Sequence, residues 1–524
     1  MQLDKISLAD TQTFSRFFLD YIEHKETLRP FFNRYPDIEN FPDQIQEKVV
    51  NFSQEDRDVL ASSLQEQYEG ITPSQAVTEN ISLLRNEKTF TVTTGHQLNI
   101  FTGPLYFIYK IVTVINTCKT LKTRYPEYDF VPVFWMASED HDYDEIKYFN
   151  LYSKKYVWET DQKGAVGRFN PKGLDKLADE IPGDAKIFRD AYLKCKTLSH
   201  AVRHYANALF GAEGLVVLDG DSRKLKSRFR DVMLSDIFSQ SNKQIVDDTN
   251  ARLEALGYKT QVYCREINFF YLGDGIRSRI EMHGDKFNVI DTDLSFSESD
   301  IRKLIEEEPE KFSPNVILRP LYQETILPNL AYVGGPAEVI YWLQLKGVFD
   351  KAGIPFPIIM PRNFGLAIDH EINRKFSKTG LEIKDLFEEK NYLFNHWILK
   401  HAVRNLTVGS ERAEIERIFN QLGERASQLD KSLAPFVAAE GQRAMNSLEK
   451  IERNLIRAEK RLHDDKFRQI EHVKDALFPN GGLQERSENF LGFYQQDQHF
   501  IQKLLDNFDP FDFRVHVLRY DKAG

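Results

Sequence analysis

The sequence predicts an α/β fold in which a parallel-sheet core is followed by a long antiparallel coiled-coil arm. Three observations carry this expectation. Strand-like runs at Phe90–Thr93 and Phe130–Met136 flank a helical stretch, the spacing of a βαβ unit. Further strand candidates alternate with helical stretches as far as about residue 395. Two apolar series at heptad spacing then follow, separated at Pro435.

Residues 1–88 read as a helical segment packed on the core. Phe14, Phe17, Phe18 and Tyr21 recur at helical spacing, and Pro30, Pro36 and Pro42 interrupt the pattern. The core is expected over 89–395. Its first strand runs into Thr94-Gly95-His96-Gln97, and a helix begins near Pro104 with Leu105, Ile108, Val112 and Ile115 on one face. Pro132 in the second strand fits a strand beginning or an edge, because proline donates no ladder hydrogen bond. Gly214–Asp219, Phe287–Asp291, Ala331–Gly334 and Pro357–Met360 are the remaining strand candidates, with helices at Ser222–Phe238 and Val339–Ala352. Segments near 150–200 and 256–320 are long enough to be insertions.

The arm is expected over 396–478. Ile415, Phe419, Leu422, Ala426, Leu429, Leu433 and Phe436 form one seam, and Ala444, Leu448, Ile451, Leu455, Ala458 and Leu462 the other. Two such helices fold back as a hairpin. They form either a buried pair in a bundle or an arm that pairs with a second copy, giving a homodimer. Residues 479–524 return to the core, with Phe490, Phe493 and Tyr494 docking a short helix opened by Leu483–Arg486.

Composition narrows the function classes. A chain of 524 residues with 41% hydrophobic and 28% charged content is an ordinary folded protein. Its net charge of -10, without a basic run, argues against nucleic-acid binding. The charged first thirty residues lack the apolar region of a signal peptide. Leu105–Ile115 is broken by Lys110 and is too short to span a bilayer. Cys118, Cys195 and Cys264 are widely spaced, which suits a reducing compartment, so the expected location is the cytoplasm with no membrane association.

Three segments could carry chemistry. Thr94–Pro104 joins a strand end to a helix start, where ligands of open α/β sheets bind and free amides attract phosphate. Thr94, Gly95, His96, Gln97, Thr102, Gly103 and Pro104 are the candidate nucleotide-binding residues. The plain alternative is a strand–turn–helix connection capped by Thr102. Glu139-Asp140-His141-Asp142 ends the second strand and offers a general base, an ammonium site or metal ligands. The alternative is acidic residues at a helix start. Arg319 and the run Tyr332-Val333-Gly334-Gly335-Pro336-Ala337-Glu338 form the third, with Arg319 as a clamp for carboxylate or phosphate. A surface arginine and a tight turn is its alternative. The G-x-x-x-x-G-K-[ST] and G-x-S-x-G patterns are absent, which excludes a P-loop nucleotidase and weakens an α/β-hydrolase.

In order along the chain, T-G-H-Q-x-x-x-F-T-G-P-L-Y-x-x-Y-K (94–110), V-P-V-F-W-x-x-x-E-D-H-D-x-x-E-I (131–146), A-Y-V-G-G-P-A-E (331–338) and L-F-P-x-G-x-L-Q-E-R (477–486) resemble the BshC family, the cysteine ligases of bacillithiol biosynthesis. The resemblance implies a Rossmann-like core with connecting-peptide insertions, related in architecture to class I aminoacyl-tRNA synthetases, and a coiled coil that mediates homodimerisation. It implies a ligase joining the carboxyl of L-cysteine to the amine of glucosaminyl-malate. Condensing a carboxylate with an amine in water is uphill, so ATP is the expected co-substrate for activation. In that scheme the 95–104 loop holds phosphate. Asp140, His141 or Asp142 is catalytic, orienting the amine and taking its proton. Glu139, Arg319, Tyr332, Gly335 and Glu338 bind substrate, Arg319 through the malate carboxylates. No Cys/His cluster calls for zinc, so no metal is expected. The alternatives from the residues alone are a nucleotidyltransferase forming an adenylate or nucleotide sugar, a metal-dependent hydrolase using Glu139–Asp142, and an interaction protein working through its arm.

Overall fold

The computed structural model describes residues 2–401 and 406–520. In chain order the first strands are β1 (Gln2–Ile6), β2 (Thr89–His96), β3 (Asp129–Met136), the hairpin β4 (Tyr148–Leu151) and β5 (Lys154–Val157), and β6 (Val216–Asp219). Next come β7 (Phe269–Gly273), β8 (Ile276–His283), β9 (Lys286–Val289), β10 (Ser295–Phe296) and β11 (Phe312–Pro314). The last are β12 (Asn329–Gly334), β13 (Ile358–Pro361), β14 (Phe364–Ile368) and β15 (Val515–Arg519).

The core sheet is parallel, in the order β13-β12-β2-β3-β6. All eight residues of β2 are buried, as a strand covered on both faces must be. From β2 the chain steps outward to β3 and β6, then returns across β2 to β12 and β13. The order therefore reverses between β2 and β12, and the connections leaving those strands diverge. That reversal opens a crevice at the carboxyl ends of the strands. Pro132 pairs with Val92 of β2, whereas β6 begins pairing only at Val133, so the missing N–H falls where β3 has a single neighbour.

Two expectations are corrected. Phe287–Asp291 contributes β9, which lies outside the parallel core, in a second, antiparallel sheet ordered β10-β9-β8-β7-β11. Its hairpins turn through Asp274-Gly275 and Gly284-Asp285, two-residue loops whose glycines both have φ +65°. Such turns join strands within a hairpin and leave no room for a crossover. The first 88 residues are not all helical either: Gln2–Ile6 forms the edge strand β1 in a third sheet, β1-β15-β14. Its local sequence is polar, and its strand identity comes from partners at the other end of the chain.

The arm consists of the helices Gly409–Leu429 and Ala434–Leu462, packed on each other, and Asp464–Leu477 leads back. Pro435 sits in the first turn of the second helix, where its missing N–H costs nothing. That helix has 29 residues, about 44 Å at 1.5 Å per residue. Gly441 admits the ring of Phe419, since a Cβ there would lie 3.1 Å from Phe419 Cγ. Most of the apolar seam still faces outward: Leu429, Phe436 and Leu462 are 85%, 63% and 66% exposed. Among the described residues no helix is long and apolar enough to cross a membrane.

Candidate active site

A cavity of ≈ 430 Å³ occupies the crevice where the strand order reverses. Gly95, His96 and Gln97 line it from the end of β2, Met136, Glu139 and Asp140 from the end of β3, Tyr332, Gly335 and Glu338 from β12 and the helix after it, and Arg362 from just past β13. The antiparallel insertion adds Arg277 from β8, and the returning C-terminal segment adds Arg486. Gly95, Asp140 and Gly335, from three separate sequence motifs, share this one space.

Its centre is a buried ion pair between the first and third motifs. Lys110, on the Tyr106–Arg124 helix, places Nζ 2.5 Å from Glu338 Oε2 and donates to Gly95 O at 2.8 Å. Glu338 also accepts from the Tyr332 hydroxyl at 2.6 Å and the Gly335 N–H at 2.8 Å. Burial works against the Glu338 charge, but Lys110, Tyr332 and Gly335 outweigh it and hold the carboxyl below its ordinary value. Lys110, which interrupts an apolar run in the sequence, is thus the anchor of the site.

The acidic cluster divides into groups with different work. Asp140 accepts from Gln97 Nε2 at 2.7 Å and from Arg277 Nη1 at 3.2 Å. Burial raises its pKa, but hydrogen bonds from His141, the Arg277 charge and the Gln97 bond hold it well below the carboxylate range. Glu139 pairs with the buried Lys226, which also donates to Phe312 O. His141 lies outside the cavity wall, half exposed, with Nδ1 2.6 Å from Arg277 Nη1. Asp142 is also outside: it caps the short Tyr143–Ile146 helix by accepting from Glu145 N at 3.2 Å, as the plain alternative for this cluster expects.

Arg319 is partly buried in the cavity wall. Its guanidinium lies over the rings of Trp135, Tyr332 and Trp342 at 5.9, 5.4 and 5.8 Å, and Nη1 donates to Gln323 at 3.0 Å. Among the described residues it has no carboxylate partner. A Cβ on Gly95 would stand 3.2 Å from the Tyr332 hydroxyl and 3.6 Å from Arg319 Nη1, so glycine lets the β2 loop approach both. Burial, with the charges of Lys110 and Arg362, pushes His96 well below the ordinary histidine value, leaving a neutral imidazole. Four buried polar atoms on this wall have no hydrogen-bond partner: His96 Nε2, Gln97 Oε1, Arg319 Nη2 and Arg362 Nε. Buried polar atoms without a protein partner are costly, so these four are open to a ligand or to water in the cavity.

The outer half of the glycine loop does different work. Thr94 donates to Val333 O at 2.7 Å, tying β2 to β12. Thr102, Gly103 and Pro104 lie outside the cavity. Phe101, Thr102 and Gly103 all have positive φ (52°, 71° and 62°), and the helix begins at Tyr106 with no side-chain cap from Thr102. Asn489 holds this strained turn by donating to Phe101 O at 2.8 Å and Gly103 O at 2.6 Å. The same C-terminal segment supplies Glu485, which forms a bidentate pair with Arg362 at 2.5 and 3.0 Å.

Sequence reasoning missed Lys110, Glu145, Arg277, Arg362 and Arg486 as members of the site. Arg362 follows a strand of the parallel sheet and was findable by the strand-end rule. Arg486 and Glu145 lie within quoted motifs. Arg277 comes from an antiparallel insertion and carries no local signal. Among the described residues no group of three or more His, Cys, Asp or Glu could hold a metal ion.

The chain matches two family models: Bacillithiol biosynthesis BshC, N-terminal Rossmann-like domain, over residues 1–363, and Bacillithiol biosynthesis BshC, C-terminal coiled-coil domain, over 365–520. Curated relatives named "Putative cysteine ligase BshC" include one from Flavobacterium psychrophilum, 41% identical over 99% of this chain and 100% of its own length. Others come from Cytophaga hutchinsonii, 40% identical over 99% of both chains, and Flavobacterium johnsoniae, 40% over 99% and 100%. A solved Campylobacter jejuni chain described as "putative arginyl t-RNA synthetase" aligns at 8% identity with a TM-score of 0.20, covering 83% of this chain and 100% of that one. A likeness that slight carries no argument about architecture.

Proposed function

Since this chain belongs to the BshC family, we propose that it is the ligase that joins the carboxyl of L-cysteine to the amine of glucosaminyl-malate, the last step of bacillithiol biosynthesis. The observation that carries this reading is the cavity at the strand-order reversal, with polar wall atoms that have no protein partner and an Arg319 guanidinium that meets no carboxylate among the described residues. A bare carboxylate does not condense with an amine in water, so the carboxyl is first activated, as an adenylate formed from ATP. The Gly95–Gln97 turn and the start of the Pro336–Leu343 helix face the same space and offer backbone amides to phosphate. Arg319 and Arg486 are the lining cations without a carboxylate partner among the described residues, and they suit the malate carboxylates of the acceptor. The Asp140–Arg277 pair and the Lys110–Glu338 pair fix the walls between these ends.

The exposed seam of the arm supports a homodimer. One chain leaves Leu429, Phe436 and Leu462 largely in solvent, and a second copy of the same hairpin is the self-complementary surface that covers them.

Incubating the purified protein with ATP, L-cysteine and glucosaminyl-malate, followed by mass spectrometry, tests the reaction. The expected product is the amide-linked thiol, with Arg319→Ala slowing its formation at least tenfold. Release of a cysteinyl adenylate with no amide would point to a nucleotidyltransferase, and no nucleotide turnover at all would remove the reading.

A further inference from the structure

We propose that Glu145 is the carboxylate that receives the substrate amine and takes its proton as the amide bond forms. This rests on the amide-forming reading above and assigns its base.

Every other carboxylate on the cavity wall is already engaged. Glu139 is paired with Lys226, Asp140 with Arg277 and Gln97, and Glu338 with Lys110, Tyr332 and the Gly335 amide. A base with a cation at hydrogen-bond distance has its lone pairs committed and its basicity lowered. Glu145 also lines the cavity, yet its carboxylate makes no hydrogen bond or ion pair with any described residue.

Its backbone, by contrast, is fixed at both ends. The Asp142 cap accepts from Glu145 N, and Asn99 Nδ2 donates to Glu145 O at 2.9 Å. Asn99 belongs to the glycine loop and packs against Gly103, where a Cβ would lie 2.5 Å from Asn99 Cβ. The loop after β2 and the acidic cluster after β3 thus cooperate to hold one uncommitted carboxylate over the cavity.

The charges around Glu145 agree with the role. Asp140 and Asp142 on its own segment, Glu338 on the Pro336–Leu343 helix, and Lys110 with Tyr106 on the Tyr106–Arg124 helix face it. Partial desolvation, then the like charges of Asp142 and Asp140, raise its pKa, while Lys110 opposes them. A carboxylate surrounded by carboxylates attracts an ammonium group and is a better proton acceptor than Asp140.

The step balances as follows. The amine is held as ammonium by Glu145 and gives it one proton, freeing the nitrogen lone pair. That pair attacks the carboxyl carbon of the activated cysteine, an acyl adenylate or acyl phosphate made from a nucleoside triphosphate. The C–N bond forms, and the bond to the phosphate oxygen breaks with its electrons on the departing phosphate. The second nitrogen proton leaves with the phosphate group or solvent.

Glu145→Gln removes the base while keeping shape. We expect amide formation to fall on the order of 100-fold, in the range of a lost general base, at an unchanged unfolding temperature. Glu145→Asp, which keeps the charge on a shorter arm, should recover at least threefold of that loss. A loss below tenfold in Glu145→Gln, or a Glu145→Asp no faster than Glu145→Gln, overturns the assignment. Wild-type protein given ATP, cysteine and hydroxylamine separates the two claims. If it forms neither cysteine hydroxamate nor amide, the amide-forming reading falls and Glu145 with it. If it forms both while Glu145→Gln is undiminished, Glu145 alone is wrong.

Discussion

The Tyr106–Arg124 and Ala434–Leu462 helices are both legible as apolar periodicity, yet they meet opposite fates. Thirteen of the 19 residues of the first are buried, Lys110 among them, whereas only Gly441 and Glu459 are buried among the 29 of the second. The first packs against β2, β3 and the Phe500–Asn507 helix, which cover most of it, so even a charge can be enclosed once Glu338 answers it. The second packs mainly on the Gly409–Leu429 helix and leaves most of its seam in water. A hydrophobic pattern states that a face will be covered; it does not state whether the cover belongs to the same chain.

This contrast can be broken most sharply at the buried pair between core and C-terminal segment. Glu485→Ala leaves Arg362 enclosed without a counter-charge and should cost about 3–5 kcal/mol of core stability in denaturant unfolding. The exposed arm pair Arg412–Glu449, broken by Glu449→Ala, should cost less than about 0.5 kcal/mol. Equal effects would erase the distinction between the two regions.

The arm's own role is tested by Phe436→Lys. It should leave core unfolding unchanged and weaken dimerisation by about 2 kcal/mol, roughly thirtyfold in Kd, read by sedimentation equilibrium. A monomeric wild-type protein at micromolar concentration would remove the second copy as the cover. Within the core, Arg319→Lys keeps charge but loses the planar fork stacked among Trp135, Tyr332 and Trp342. Acceptor KM should rise by roughly tenfold, about 1.4 kcal/mol, with unfolding unaffected.

The smallest expected effect lies at the third sheet. Asp512 is bonded to Arg514 and to Lys5 of β1, and these contacts outweigh burial to lower its pKa below the ordinary 3.8. A carboxyl depressed in the folded state stabilises above its unfolded pKa, and that contribution disappears as pH falls below about 3.8. Asp512→Asn should therefore lower stability at neutral pH slightly and flatten the acid limb of the unfolding curve, with no change in the arm.

The parallel core and the coiled-coil hairpin were legible because their signals are local. β2 alternates threonine with apolar residues and ends in a glycine turn, β3 is an apolar run that ends in an acidic turn, and Pro435 announces a break wherever it stands. The motifs also pointed to one cavity, since ligands gather at the ends of parallel strands. What escaped was non-local. β1 is a polar pentapeptide made into a strand by β15, more than 500 residues away. Arg277 reaches Asp140 only through an antiparallel sheet whose Asp274-Gly275 and Gly284-Asp285 turns were readable but whose placement was not. The division of labour within Glu139–Glu145 depended on which cation each acid meets, and spacing along a chain carries no such information.

β15 lies between β1 and β14, so the earliest residues described pair with some of the last. During synthesis β1 is made before the parallel core and stays an unpaired edge while that core, both insertions and the whole arm follow. Only when residues 515–519 appear can this sheet close, and the stretch just before them is what clamps the glycine loop and delivers Glu485 and Arg486. A ribosome stalled in the arm would thus hold a nearly complete core whose cavity wall is still missing its final side.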